Sequence, residues 1–129
     1  SVEQEIDLTE AIDEDGTIYI HQGDSGEIVV SGIPTDKDYT VYFAIKDKDR
    51  KTIGSELFVK SSNQPFVRFV LSAEFTDLLT VEEDEDFAVY NYGIKMCSDG
   101  EMEDTLFVVN SDYGQHNNII VYPKLVEGV

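Results

Sequence analysis

The chain has no tryptophan, one cysteine, three prolines, two histidines and only nine basic residues among 129. Each scarcity closes off a class of function. Cys97 has no second cysteine to pair with, so an intrachain disulfide and a two-cysteine redox or zinc motif are both excluded. We read Cys97 as a small buried hydrophobe. His21 and His116 with that one thiol cannot close a structural zinc site without carboxylates. Both histidines read as surface residues, one at a strand end and one in a polar loop. Nine bases stand against 27 acids, a formal net charge of −18. That balance leaves no basic groove for nucleic acid and repels anionic membrane surfaces. No apolar run approaches the ~20 residues that a membrane-spanning helix requires. The first residues carry neither a basic segment nor an apolar core, so no signal peptide is expected.

Catalytic signatures are missing too. No Gly-x-Ser-x-Gly elbow is present. Gly23-Asp24-Ser25-Gly26 has neither the lysine nor the following helix of a phosphate loop. Residues 82–86 form a run of five acids, but without the alternating ligands and glycine of a calcium loop. Such a run reads as a solvated loop. The expectation is a non-enzymatic chain with no cofactor and no metal.

What remains is strand grammar. The chain is organised around Tyr19-Ile20-His21-Gln22-Gly23-Asp24-Ser25-Gly26-Glu27-Ile28-Val29-Val30, which reads as strand, turn, strand. Gly tolerates positive φ and Asp bonds its own backbone, so the centre is a turn. Ile18 and Ile20 share one face, as do Ile28 and Val30, at the spacing of two that half-buried strands show. In all, strands are predicted at 17–21, 27–31, 39–46, 52–61, 66–71, 87–97, 105–109 and 119–122. Gly54 signals a bulge or a close backbone approach. Residues 66–71 are apolar on both faces except at Arg68, which suggests a central strand. Residues 72–79 change period: Ser72 suits an N-cap and Phe75, Leu78 and Leu79 fall together, so a short helical crossover between sheets is predicted. Residues 1–16 form an acidic lead-in arm or edge strand, and 17–129 a single domain. Seven or eight short strands without alternating helices imply an all-β antiparallel sandwich. Val41, Phe43, Ile45, Val67, Phe69, Leu71, Tyr92, Ile94 and Ile119 are its predicted core.

The order of these pieces resembles a known family. Ile18-Tyr19-Ile20-His21-Gln22-Gly23-Asp24-Ser25-Gly26 is similar to the opening of the N-terminal domain of upper baseplate (BppU-type) proteins of tailed bacteriophages. Strands like Tyr42-Phe43-Ala44-Ile45-Lys46-Asp47 and a segment like Val70-Leu71-Ser72-Ala73-Glu74-Phe75-Thr76-Asp77-Leu78 follow in that family. Then come a tyrosine-rich strand like Tyr90-Asn91-Tyr92-Gly93-Ile94-Lys95 and a closing strand like Ile120-Val121-Tyr122-Pro123. Gly93 stands where the family usually has an acid, and the loop before the last strand is longer. The resemblance implies an immunoglobulin-like sandwich and a structural role in a virion, built in the bacterial host cytoplasm. It implies other virion proteins as partners, with a homo-oligomer as a further arrangement, and it transfers no catalytic residue. A host-surface glycan- or receptor-binding module on the same sandwich is the alternative.

Two stretches qualify as contact surfaces, because interface cores are poor in charge and rich in aromatics. One is the Gly23–Gly26 turn with its neighbouring strand. The other is the loop carrying Tyr113, His116 and Asn117, where Asp112 is the sole carboxylate. The other rings, Tyr42, Tyr90, Tyr92 and Tyr122, are read as core or cross-strand packing.

Net charge also sets solubility. Acidification toward the sequence pI of about 4.1 removes the self-repulsion between chains. Light scattering should therefore rise there, as aggregation or ordered self-association. An unchanged hydrodynamic radius at that pH would contradict this.

Overall fold

The computed structural model describes residues 2–8, 16–98, 105–109 and 118–124, with the backbone alone described at 2, 3 and 105–109. The strands are β1 (Val2–Asp7), β2 (Ile18–His21), β3 (Gly26–Ser31), β4 (Tyr39–Lys46) and β5 (Leu57–Lys60). They continue with β6 (Phe66–Leu71), β7 (Ala88–Ser98), β8 (Thr105–Val109) and β9 (Asn118–Tyr122). One short helix, α1 (Ala73–Thr76), separates β6 from β7. The strands form two sheets, one ordered β1-β3-β6 and one ordered β2-β9-β7-β4-β5, with β8 also paired to β7. β9 pairs with the start of β7 and β8 with its end. They share one edge of β7, because β4 occupies the other.

The core follows from alternation. β4 turns Val41, Phe43 and Ile45 inward, and β7 turns Tyr90, Tyr92, Ile94 and Met96 inward. β6 answers with Val67, Phe69 and Leu71 from the facing sheet. All nine predicted core residues are buried. Phe43 sits at the centre, 5.5 Å from the Phe69 ring and 5.6 Å from Tyr92 by ring centroids. Tyr92 is wholly inside, so its hydroxyl needs an acceptor. It donates to the Gly16 carbonyl at 2.7 Å, which anchors the chain just before β2.

Several expectations meet local physics that changes them. The strand-turn-strand stretch does not form a hairpin. β2 pairs with β9 and β3 pairs with β1 and β6, so its turn carries the chain from one sheet to the other. Those early pairings, β1 on β3 and β2 on β9, are parallel; the other pairings are antiparallel. β6 is not central. It ends the three-stranded sheet, with Phe66, Arg68 and Val70 exposed. Its outward apolar residues made it look doubly buried. β1 forms the opposite edge of that sheet, and Ile6 and Leu8 reach the core. The long return predicted at 52–61 is reduced to a single bridge at Thr52 and the strand β5. Between them Gly54 adopts φ +65°, and a Cβ there would lie 2.6 Å from Phe75 Cε1. The close-approach reading of Gly54 is the one the packing supports. Ser72 caps α1, accepting from the Phe75 amide at 3.1 Å.

One side chain closes an edge. Gln4 of β1 accepts from the Tyr19 amide at 2.8 Å and donates back to the Tyr19 carbonyl. Its carboxamide imitates a strand neighbour, so it satisfies an edge that would otherwise be open to pairing.

Truncating the central ring leaves a cavity between the sheets. Phe43→Ala or Phe69→Ala should cost about 3–5 kcal/mol, read by urea unfolding. A loss under about 1 kcal/mol at both sites would show that these rings do not hold the sheets together.

Candidate docking surface

The first predicted surface, the Gly23–Gly26 turn, is held by the protein itself. Gly23 has φ +85°, so a side chain there would be strained, and its Cβ would also meet Lys124. Thr76, fully buried at the end of α1, binds the turn from below. Its hydroxyl accepts from the Gly23 amide at 3.1 Å and donates to the Asp24 carbonyl at 2.8 Å. Gln22 donates to the Asp77 carbonyl at 3.1 Å, and Lys124 pairs with the Asp77 carboxylate at 2.6 Å. Helix, turn and closing strand therefore form one clasp. Asp24 and Ser25 stay exposed, but the rest of the turn serves the fold. Tyr113, His116 and Asn117 lie outside the described residues.

A different surface stands out: the outer face of the six-stranded sheet. From β2 it shows Tyr19 and His21, and from β9 Ile120 and Tyr122. Tyr19 and Tyr122 lie parallel, 6.4 Å apart with 9° between planes, and His21 sits 5.2 Å from Tyr122. From β7 the face shows Val89, Asn91, Gly93 and Lys95, and Asn91 donates to the Asn118 side chain at 2.8 Å. From β4 and β5 it shows Tyr42, Lys46, Phe58 and Lys60. Tyr42 packs on Phe58 at 6.0 Å, and Lys95 Nζ lies 4.7 Å from the Tyr42 ring centroid. Phe58 is 67% exposed, and Tyr19 and Val89 are each 49% exposed. No described residue on this face is a carboxylate, in a chain of net charge −18. β8, which also belongs to this sheet, contains no acid in its sequence.

The opposite outer face, on the three-stranded sheet, is acidic. Glu5, Asp7 and Glu27 point outward beside a single base, Arg68, which pairs with Glu27. Ser31 donates to Glu5 at 2.8 Å across the same face. The sandwich thus has two chemically opposed sides.

The sequence reading missed the carboxylate-free face. Its reading of the tyrosines as core or cross-strand packing holds, with Tyr90 and Tyr92 buried and Tyr42 and Tyr122 packed across strands, but it did not separate the inward rings from the outward, half-buried ones. Listing only the outward phase of each strand would have exposed the absence of acids. Knowing which strands share a sheet requires topology. The histidine reading holds for His21, which is exposed at the end of β2. Cys97 is buried. Residues 82–86 are all exposed, and no group of three or more metal-ligating side chains is gathered among the described residues.

No family model matches the chain, and no curated protein does. Among solved structures, the crystal structure of the periplasmic chaperone SfaE matches over 87% of this chain, with a TM-score of 0.50 and 9% identity. This chain spans 57% of that one. At that identity the likeness is one of fold: an immunoglobulin-like β-sandwich.

The clasp under the turn is testable. Thr76→Val keeps shape but removes the hydroxyl and strands the Gly23 amide. It should destabilise by about 1–3 kcal/mol in urea unfolding, and Thr76→Ser should recover most of that. Equal stability of all three would mean that the turn is held elsewhere.

Proposed function

We propose that this chain is a non-enzymatic assembly module of a tailed-phage particle, acting by protein–protein docking through the outer face of its six-stranded sheet. The observation that carries the docking is the absence of described carboxylates on a broad face bearing Tyr19, Tyr42, Phe58 and Tyr122. Desolvating an aromatic is favourable, and the charges on this face, Lys46, Lys60 and Lys95, are all of the sign opposite to the chain's net charge, so an acidic partner surface can pair them. The phage setting rests on the motif order from Ile18 to Pro123. The reading covers a place in the tail, baseplate, neck or head accessory structures.

A second reading has its own observation. The parallel Tyr19 and Tyr122 rings beside His21 offer a flat platform of the kind that sugar rings stack on. That would make the chain a host-surface glycan-binding module on the same fold.

Particles purified from the phage that encodes the chain should contain it. Lysine-directed cross-linking of those particles should join Lys46, Lys60 or Lys95 to another polypeptide. Absence of the chain from purified particles would remove the virion assignment. Cross-links made only by lysines elsewhere would move the docking surface off this sheet. Glycan-array binding that disappears in Tyr19→Ala would favour the second reading.

A further inference from the structure

We infer that the carboxylate-free face docks onto the acidic face of a second copy of the same chain, head to tail. The inference rests on the docking role proposed for the six-stranded sheet and names its occupant. Lys46, Lys60 and Lys95 lie on that sheet's outer face, and Glu5, Asp7 and Glu27 on the outer face of the three-stranded sheet. Both faces also carry exposed apolar side chains, Phe58 on one and Val70 on the other, each 67% exposed. Each face therefore offers the charge opposite to the other's, and both offer an apolar contact.

Pairing a face with itself is disfavoured by the same chemistry. Two six-stranded faces would set lysine against lysine, and two three-stranded faces would set Glu5 and Asp7 against their copies, the one base there, Arg68, being paired with Glu27 in its own chain. Like charges brought together across an interface are strongly disfavoured. The favoured contact is heterologous, and a heterologous contact closes into a ring or continues as a filament. The net charge of −18 opposes any self-association at long range. That repulsion is screened over about 8 Å at physiological salt, and the two sheets of a sandwich alone lie about 10 Å apart. In salt the facing charges decide; at low salt the whole-molecule repulsion does.

The purified chain should be followed by sedimentation velocity over a concentration series, at about 0.15 M and about 0.01 M salt. Assemblies larger than dimers are expected, forming at least tenfold more readily at the higher salt. Charge reversal then assigns the faces. The triple variant Lys46→Glu, Lys60→Glu, Lys95→Glu should be monomeric with unchanged circular dichroism, as should the double variant Glu5→Lys, Asp7→Lys. Mixed one to one, the two should associate again, because each supplies the face that the other now needs. A wild-type chain that stays monomeric to about 1 mM, or stops at a dimer, overturns the inference. So does association untouched by the triple variant, or a mixture that fails to recover. A monomeric chain whose lysine face still cross-links to a different protein in particles would leave the docking role standing and remove only the second copy.

Discussion

Every one of the chain's 27 carboxylates must stay in water or find a partner, and that constraint shapes the rest of the molecule. A two-layer sandwich buries one face of each sheet and leaves two outer faces and the connecting loops. Here the loops take many of the acids, as at 82–86, and the three-stranded face takes Glu5, Asp7 and Glu27. The six-stranded face takes none among the described residues. The asymmetry is therefore a property of where each strand's outward phase falls.

A shell so rich in one charge pushes outward on whatever holds it. Stability has to come from contacts that bridge the sheets. Phe43 does this through Phe69, with Tyr92 beside it, burying three rings at one point. At the edges the bridges are polar. Gln4 pairs with the Tyr19 backbone and joins β1 to β2 across the two sheets. Thr76 binds the turn that crosses between the sheets, using both the donor and the acceptor of one hydroxyl. Each of these bonds links residues distant in sequence, so they close the sandwich rather than decorate a local turn.

Much of this was legible in the sequence, because alternation is a local property. The inward phases of residues 39–46 and 87–97 can be read directly, and with them Phe43, Tyr92 and Ile94. The Ser72 cap is likewise local, whereas the lone Gly54 signals a close approach without naming Phe75, the ring that makes it. The partners of the strands were not legible. Nothing in His21-Gln22-Gly23-Asp24 tells whether the flanking strands pair or part, since the outcome depends on Thr76, more than fifty residues away. β6 misled for a different reason. Phe66 and Val70 face outward, and an exposed apolar residue reads as a buried one until the sheet order is known. The face opposite the acids was hidden in the same way, divided among strands that are far apart in the chain. Tyr113, His116 and Asn117 fall outside the described residues, so their role as contacts rests on sequence alone.

Strand propensity is the obvious rival explanation for a sheet face without acids. Asp and, less strongly, Glu are depleted in strands of any protein, and a random sheet would be poor in them. The other sheet of the same molecule supplies the control. Its outward positions carry Glu5, Asp7 and Glu27 on strands β1 and β3, while Tyr19, Tyr42 and Phe58 occupy the corresponding outward positions across the sandwich. Propensity acts equally on both sheets and cannot separate them. Nor does burial explain the difference, because both outer faces carry well-exposed positions, Phe58, Tyr19 and Val89 on one and Val70 and Phe66 on the other. A large aromatic left in water in place of a soluble carboxylate works against solubility. In a chain otherwise so acidic, those rings are what the docking proposed for this face would cover.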